Sequence, residues 1–272
     1  MKTTFSLLTF NCFGGLHWTT PRRLRALGQE LDRLAPEVVC LQEVQTHAAR
    51  RLLQRVCAGH PAHAYVLGRR APLGSLLTLG RAPLSPPYFA RYTTQGSWYT
   101  LTLMDRITQK GALVAQIWHE GVEIIVVNTH LVANYGANWR TESRAARAQQ
   151  SQLHELAALV AALPATALVL VAGDFNIPRG SWLYEEFLQR SGLADPLAGD
   201  GRPTYRPLPG VPARYALPID FVFVRAPSQL DLHTEPALYF TEKLALGGAR
   251  PGYLSDHLGV RMTLRWEVGS RE

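Results

Sequence analysis

The sequence predicts an α/β chain folded as a four-layer sandwich, with two mixed β-sheets packed face to face and helices on the outside. Three observations predict it. Short apolar runs of strand length occur in both halves of the 272-residue chain. Stretches with helical periodicity separate them. Polar residues of one chemical kind, carboxylates and carboxamides, recur where the apolar runs stop. No internal repeat, low-complexity tract or break in composition divides the chain, so residues 1–272 are expected to form a single domain.

The elements follow in order. Thr4 to Asn11 alternates loosely and reads as a strand. Its apolar part, Phe5 to Phe10, is short, is interrupted by Ser6 and Thr9, and leads to no small-residue cleavage site, which argues against a signal peptide. Pro21 to Leu34 reads as a helix whose start is marked by Thr19, Thr20 and Pro21. Val38 to Gln42 is a short apolar strand and Thr46 to Cys57 a helical stretch. Ala64–Leu67, Ser75–Leu79, Trp98–Met104, Ala112–Trp118 and Glu123–Asn128 are short extended runs separated by Gly and Pro, a spacing that suggests antiparallel pairing. Arg140 to Leu163 is the longest predicted helix. Leu168 to Ala172 is a strand, Trp182 to Arg190 a helix, and Ile219–Val224 and Leu258–Trp266 are strands.

Two segments need separate treatment. Leu156 to Ala172 is nearly long enough to span a bilayer, but Pro164 divides an Ala/Leu half that is helical from a Val/Leu half that is extended. No transmembrane segment is predicted. Gly199 to Pro218 carries five prolines and three glycines, long for a loop, and signals either a functional excursion or disorder.

Composition is that of an ordinary globular chain, 47% hydrophobic and 18% charged. Cys12, Cys40 and Cys57 are too few, and odd in number, for a disulfide framework, which suits a reducing compartment; a cytoplasmic location is the expectation. The net charge is +7, and only Lys2, Lys110 and Lys243 among the 28 basic residues are lysines. Arginine forks suit phosphate recognition, so the balance favours an anionic partner: a small substrate, a nucleic acid or a lipid surface.

The polar strand ends carry the chemistry. The first strand ends at Asn11, the second in Gln42-Glu43, the Glu123 strand in Asn128-Thr129-His130 and the Leu168 strand in Asp174-Phe175-Asn176. Asp220 sits inside the apolar run IDFVFV, and Ser255-Asp256-His257 opens the last strand. Singly, each has a local explanation: a turn residue, an acid at a helix start, an Asx turn before Pro178, a core histidine. Asp220 resists one, because a carboxylate inside a buried strand is costly unless paired. Together Asn11, Glu43, Asp174, Asn176 and Asp256 form a set of hard oxygen donors beside two imidazoles, with no thiolate among them. Such donors suit Mg²⁺ or Mn²⁺, which leave coordination positions for water and for substrate phosphate oxygens.

The ordered series Asn11, Gln42-Glu43, Asn128-Thr129-His130, Gly173-Asp174-Phe175-Asn176, Ile219-Asp220-Phe221 and Ser255-Asp256-His257 resembles the endonuclease/exonuclease/phosphatase superfamily, whose fold is the DNase I-like four-layer α/β sandwich. The likeness spans residues 5 to 265. It implies a metal-dependent phosphoric ester hydrolase in which Glu43 is the principal metal ligand, with Asn11 and Asp256 completing the site directly or through water. It implies that Asp174 orients or deprotonates the attacking water, and that Asn176 donates an amide hydrogen bond to phosphate. It also implies that Asp220 fixes and charges His257, and that His257 and His130 contact phosphoryl oxygens. Whether His257 or Asp174 takes the proton stays open.

The stretch THLVANY (Thr129–Tyr135), the helix after it with Arg144, Arg147, Gln152 and Leu153, and QKGALVAQI (Gln109–Ile117) resemble the neutral sphingomyelinase branch. That likeness favours a small or lipid phosphodiester as substrate. A Mg²⁺-dependent DNA or RNA nuclease is the alternative, followed by an inositol-phosphatase-type phosphomonoesterase and a non-catalytic binding module. The aromatic stretch YFARYTTQGSWYT (Tyr88–Thr100) suits either contact with a lipid interface or an edge strand. A nuclease should line Arg22, Arg23, Arg69, Arg70, Arg179 and Arg206 along a strip that follows a phosphate backbone. No stable protein partner is inferred.

Overall fold

A computed structural model describes residues 2–97, 102–207, 210–247 and 251–267. In chain order the elements are β1 (Lys2–Asn11), α1 (Thr20–Leu34), β2 (Val38–Gln42), α2 (His47–Val56), β3 (Ala62–Ala64), β4 (Leu77–Gly80), β5 (Tyr88–Arg91) and α3 (Leu103–Thr108). There follow β6 (Gly111–His119), β7 (Val122–His130), α4 (Arg144–Ala161), β8 (Leu168–Asp174), α5 (Trp182–Ser191), β9 (Asp220–Arg225), β10 (Leu232–Tyr239) and β11 (Gly259–Glu267).

The strands form two sheets, ordered β10-β11-β1-β2-β4-β3 and β5-β6-β7-β8-β9. Alternation along each strand decides which side chains meet. Phe5 and Leu7 of β1, with Val38 and Cys40 of β2, pack across the inter-sheet space against Ile124 and Val126 of β7, Leu168, Leu170 and Ala172 of β8, and Val222 and Val224 of β9. The intervening residues face outward. Leu8 and Phe10 pack under α1 and α2, while Val169 and Val171 pack under α4 and α5. The result is the predicted four-layer sandwich.

Parallel pairing brings the working ends together. β1 runs parallel to β2 with Asn11 beside Gln42, and β7 runs parallel to β8 with His130 beside Asp174. β9 enters antiparallel to β8 with Asp220 beside Asp174. The C-terminal ends of four strands and the start of a fifth therefore open on one edge of both sheets. Just below that edge the sheets are tied by a buried amide pair: Gln42 Nε2 donates to Asn128 Oδ1 at 2.8 Å and to Thr9 Oγ1 at 3.0 Å. A buried amide-to-amide bond across the sheets fixes their facing register, while Gln42 Oε1 is buried with no partner among the described residues.

Most element limits agree with the sequence pattern, and the capping explains several. Thr46, Ser143 and Ser181 each accept a backbone N–H from the first turn of α2, α4 and α5. Thr19 makes no such bond, and Pro21, the second residue of α1, supplies the preset φ of its first turn instead. The run Leu156–Ala172 is the end of α4, a turn and β8, and no helix among the described residues is long and apolar enough to cross a membrane.

Three readings change. Of the predicted extended run Trp98–Met104, residues 98–101 lie outside those described, and the remainder opens α3, where Leu103 and Ile107 share a helical i,i+4 spacing. β10 had no sequence signal because Pro236 and a polar composition conceal it; it lies at a sheet edge, where proline costs no ladder bond. The antiparallel middle of the chain is divided between the sheets: β3 and β4 join β2, whereas β5, β6 and β7 pair with one another. In the aromatic stretch, Tyr88–Arg91 forms the edge strand β5, and residues 98–100 lie outside the described residues.

Candidate functional site

Asn11 is fully buried at the end of β1. Its Oδ1 accepts the Phe13 N–H at 3.1 Å, which turns the amide nitrogen toward the carboxylates. Nδ2 donates to Glu43 Oε1 and Asp174 Oδ2, each at 3.0 Å, and lies 3.5 Å from His257 Nε2. One amide thus joins three of the predicted site residues across both sheets.

Glu43 follows β2 with φ of 57°, a left-handed conformation that a non-glycine residue adopts at a cost of about 1 kcal/mol or more. Its carbonyl accepts the N–H groups of Gly14 and Gln45, which hold the turn. Gly14 must be glycine, because a Cβ there would lie 2.7 Å from that carbonyl. Burial raises the Glu43 carboxyl; the Asn11 amide lowers it, and the charge of Asp256 raises it again. Asp256, half-exposed, accepts the Ser255 hydroxyl on Oδ1 at 3.0 Å.

Asp174 closes β8 and is buried. Its Oδ1 accepts the Asn176 N–H at 3.0 Å, and its Oδ2 lies 3.4 Å from His130 Nε2 and 3.7 Å from His257 Nε2. Burial pushes its carboxyl up to about 7; the Asp220 charge adds to that, against the His257 cation, the Asn11 amide and Lys110. Gly173 permits this packing, since a Cβ there would stand 1.9 Å from the Thr129 carbonyl. Asn176 has φ of 52°, and its Nδ2 donates to the Leu131 carbonyl at 3.1 Å. One amide hydrogen is therefore already engaged with the backbone.

Asp220, which the sequence argument required to be paired, meets His257, the partner that the resemblance implied. His257 Nδ1 lies 2.9 and 3.2 Å from the two Asp220 oxygens. Burial disfavours the imidazolium, but the carboxylates of Asp220 and Asp174 outweigh it and hold His257 well above its ordinary value. His130 goes the other way: burial, then the charges of Lys110 and His257, hold it well below. The two imidazoles of one site are thus pushed in opposite directions, and His130 Nδ1 is buried with no partner among the described residues.

Three contributors carried no readable signal of their role. Lys110, fully buried, pairs with Asp105 at 3.0 Å, and its charge reaches Glu43, Asp174 and His130. Its rarity in an arginine-rich chain was the one available hint. Thr204 to Arg206, inside the proline-rich loop, brace the pair: Thr204 Oγ1 accepts the N–H groups of Ile219 and Asp220, the Tyr205 ring lies 5.1 Å from that of His257, and Arg206 donates to the His257 carbonyl at 3.1 Å. Arg23 is buried and donates to the carbonyls of Cys12, Phe13 and Leu254, tying the loop after β1 to the segment that carries Asp256.

Those bonds also bear on the arginine strip that a nuclease would need. Arg23 and Arg206 are spent on backbone carbonyls, and Arg179 is paired with Asp195 at 2.7 Å and faces the Phe221 ring. Three of the six arginines proposed for a phosphate backbone therefore point into the protein.

The donor chemistry at Glu43 and Asp256 fits a hard divalent cation. Two carboxylates repel one another there, one raised by burial, with the Asn11 amide alongside and the charges of His257 and Lys110 acting to lower Glu43. Cys12 is no competitor: burial pushes its thiol up to about 12, and it donates to the Gln42 carbonyl. Asp174, Asp220 and His257 also offer three donor atoms within 4.8 Å of one another, but Nδ1 of His257 is committed to Asp220, so that cluster is an ion-paired triad first.

The chain is 26% identical over 96% of its length to a Drosophila melanogaster protein named a candidate neutral sphingomyelinase, and spans 60% of that protein. It is 28% identical over 63% of its length to an inositol phosphosphingolipids phospholipase C of Schizosaccharomyces pombe, and spans 41% of it. In fold it is similar to sphingomyelinase C from Streptomyces griseocarneus, with a TM-score of 0.72 at 21% identity over 96% of this chain and 99% of that one. A Staphylococcus aureus beta toxin with bound magnesium ions gives 0.71 at 18% identity, again over 96% and 99%. TDP2 of D. rerio complexed with single-strand DNA product gives 0.71 at 19% identity over the same shares. The model of the Endonuclease/Exonuclease/phosphatase family matches residues 8–257, from within β1 to His257, and the chain belongs to that family.

Proposed function

We propose that this chain is a single-domain, divalent-metal-dependent phosphodiesterase that cleaves a small or lipid-borne phosphodiester by attack of water. The observation that carries the reading is the meeting, at one edge of both sheets, of Glu43, Asn11 and Asp174 with a buried Asp220–His257 ion pair. The named activities of the two curated relatives, both on sphingolipids, support the lipid side of it.

Glu43 and Asp256, with Asn11 beside them, would hold Mg²⁺ or Mn²⁺, which when bound would supply Lewis-acid neutralisation of charge on the phosphoryl oxygens. The protein's own groups do the rest. Asp174, anionic and held by Asn11 and the Asn176 N–H, receives the proton of the attacking water on Oδ2. His257, kept cationic by Asp220, presents Nε2–H to a phosphoryl oxygen and stabilises the charge that grows there. His130 remains a neutral hydrogen-bonding group, and Asn176 offers the amide hydrogen that Leu131 does not take. Lys110 lowers the cost of carrying Glu43 and Asp174 as anions.

The inward turn of Arg23, Arg179 and Arg206 favours this reading over a nuclease that follows a nucleic-acid backbone. Hydrolysis of sphingomyelin micelles, supercoiled DNA, abasic duplex and inositol phosphates with Mg²⁺ tests it. Lipid turnover that Glu43→Ala and His257→Ala both abolish is expected. Strong DNA nicking with no lipid turnover would overturn it.

A further inference from the structure

The loop between β1 and α1 reads CFGGLHWT from Cys12 to Thr19. Its first half is fastened to the candidate site by the Phe13 N–H on Asn11 and the Gly14 N–H on the Glu43 carbonyl, 3.0 Å away. Beyond Gly15 it turns outward. The tip is an ordered turn, held by the His17 N–H on the Gly15 carbonyl (2.9 Å), the Thr20 N–H on the His17 carbonyl (3.0 Å) and a His17–Thr19 side-chain bond (2.8 Å). On this tip Leu16 is 95% exposed and Trp18 76% exposed.

Leu16 stands between two adjoining depressions of about 610 and 490 Å³. Their walls contribute Arg25, Arg55, Arg69 and Arg70, all exposed, and no aspartate or glutamate. Among the described residues none of these four arginines enters an ion pair. The larger depression also holds Ile107, a further exposed aliphatic group, and Gln45, which donates to Glu43 Oε2 at 3.2 Å. One wall of the site thus leads directly to an apolar tip set in uncompensated positive charge.

We propose that this face docks on an anionic lipid bilayer, with Leu16 and Trp18 entering the interface and the flanking arginines meeting acidic headgroups. The proposal deepens the phosphodiesterase reading, on which it rests for the purpose of docking. Exposed Leu beside Trp is the composition that interfacial anchoring uses, and polybasic flanks add attraction to acidic lipid. A nucleic-acid strand would use the arginines and stack a base on Trp18, but it offers nothing to Leu16 or Ile107.

The test is sedimentation of the full chain with vesicles of phosphatidylcholine, with and without phosphatidylserine, in EDTA so that no turnover intervenes. Binding should require phosphatidylserine and weaken with salt. Leu16→Ser with Trp18→Ser should weaken it by about tenfold or more. Arg69→Ala and Arg70→Ala should each cost about fivefold at low salt. All variants should keep the wild-type melting temperature and, with Mg²⁺, wild-type hydrolysis of a soluble phosphodiester such as bis(p-nitrophenyl) phosphate. Absence of vesicle binding by the wild type, or undiminished binding by the double variant, overturns the proposal. So does loss of affinity for a single-stranded oligonucleotide with vesicle binding intact. Vesicle binding as described without hydrolysis of any phosphodiester leaves the docking surface standing and refutes the phosphodiesterase reading instead.

Discussion

Asp220→Asn is the most informative single change, because it removes a charge while keeping a shape. In the wild type both Asp220 oxygens lie within 3.2 Å of His257 Nδ1, and both residues are buried. Unit charges 2.9 Å apart attract by about 6 kcal/mol at an effective dielectric of about 20, enough to offset a burial cost of several kcal/mol for the imidazolium. The amide supplies no charge, and its nitrogen can donate to Nδ1, which leaves a neutral imidazole whose Nε2–H still points at the phosphoryl oxygen but without the positive charge that stabilises it. A loss of about 10² to 10⁴ in kcat is expected, measured on a soluble phosphodiester at saturating Mg²⁺. Stability gives an independent readout. A histidine held above its unfolded value keeps, in the folded chain, a proton that the unfolded chain has released. Its contribution is complete below about pH 6.5 and is lost as pH rises through the folded value, at up to about 1.36 kcal/mol per pH unit. Urea unfolding of the metal-free protein should show this decline above pH 6.5 in the wild type, and Asp220→Asn should abolish it. A variant with wild-type kcat, or the same pH slope in both proteins, would refute the argument.

Glu43→Gln should stabilise the metal-free protein at neutral pH, since burial and Asp256 disfavour the charge it removes, while erasing the rise in melting temperature that Mg²⁺ should give the wild type; an unchanged Mg²⁺ response would place the cation elsewhere. Lys110→Met should cost about 3–5 kcal/mol by leaving Asp105 unpaired, and Asp105→Asn added to it should restore most of that without restoring activity; urea unfolding and kcat read the two effects separately, and full activity in the pair would remove Lys110 from the site. Gly173→Ala should cost about 3 kcal/mol or more in thermal unfolding, because its Cβ would overlap the Thr129 carbonyl of β7; a tolerated alanine would show that β7 and β8 separate readily.

The parts of the fold that were legible in the sequence are those that face the inter-sheet core. β2 has its predicted limits, and β1 and β8 nearly so, because a strand buried on both faces is a continuous apolar run bounded by polar groups. β10 was not legible, since an edge strand has one partner and a proline costs it little. His257 as the partner of Asp220 came from the resemblance, whereas that Asp220 needs a buried partner was foreseeable on energetic grounds, since a buried carboxylate demands one. The directions of charged side chains were not. Arg23 and Arg206 read as surface cations and are internal clamps, and nothing in the order of residues distinguishes a guanidinium in solvent from one spent on carbonyls.

Period-two alternation, taken one step further, accounts for the composition of the site. On β1 the inward row runs Phe5, Leu7, Thr9, Asn11; on β2, Val38, Cys40, Gln42; on β7, Ile124, Val126, Asn128, His130; on β8, Leu168, Leu170, Ala172, Asp174; on β9, read backward, Val224, Val222, Asp220. Each row is apolar in its middle and polar at the same end of the sandwich, so the site is the last layer of the inter-sheet core and inherits its rigidity. The layer beneath, where Gln42 Nε2 donates to Asn128, serves as the floor. Glu43 breaks the alternation. A residue after Gln42 in extended backbone would face α1 and α2, and the left-handed turn at φ 57° redirects its carboxylate onto the Asn11 amide. The strain sits at the one position where the strand pattern alone could not have delivered a carboxylate, which is the placement expected when geometry at a site is bought with backbone energy.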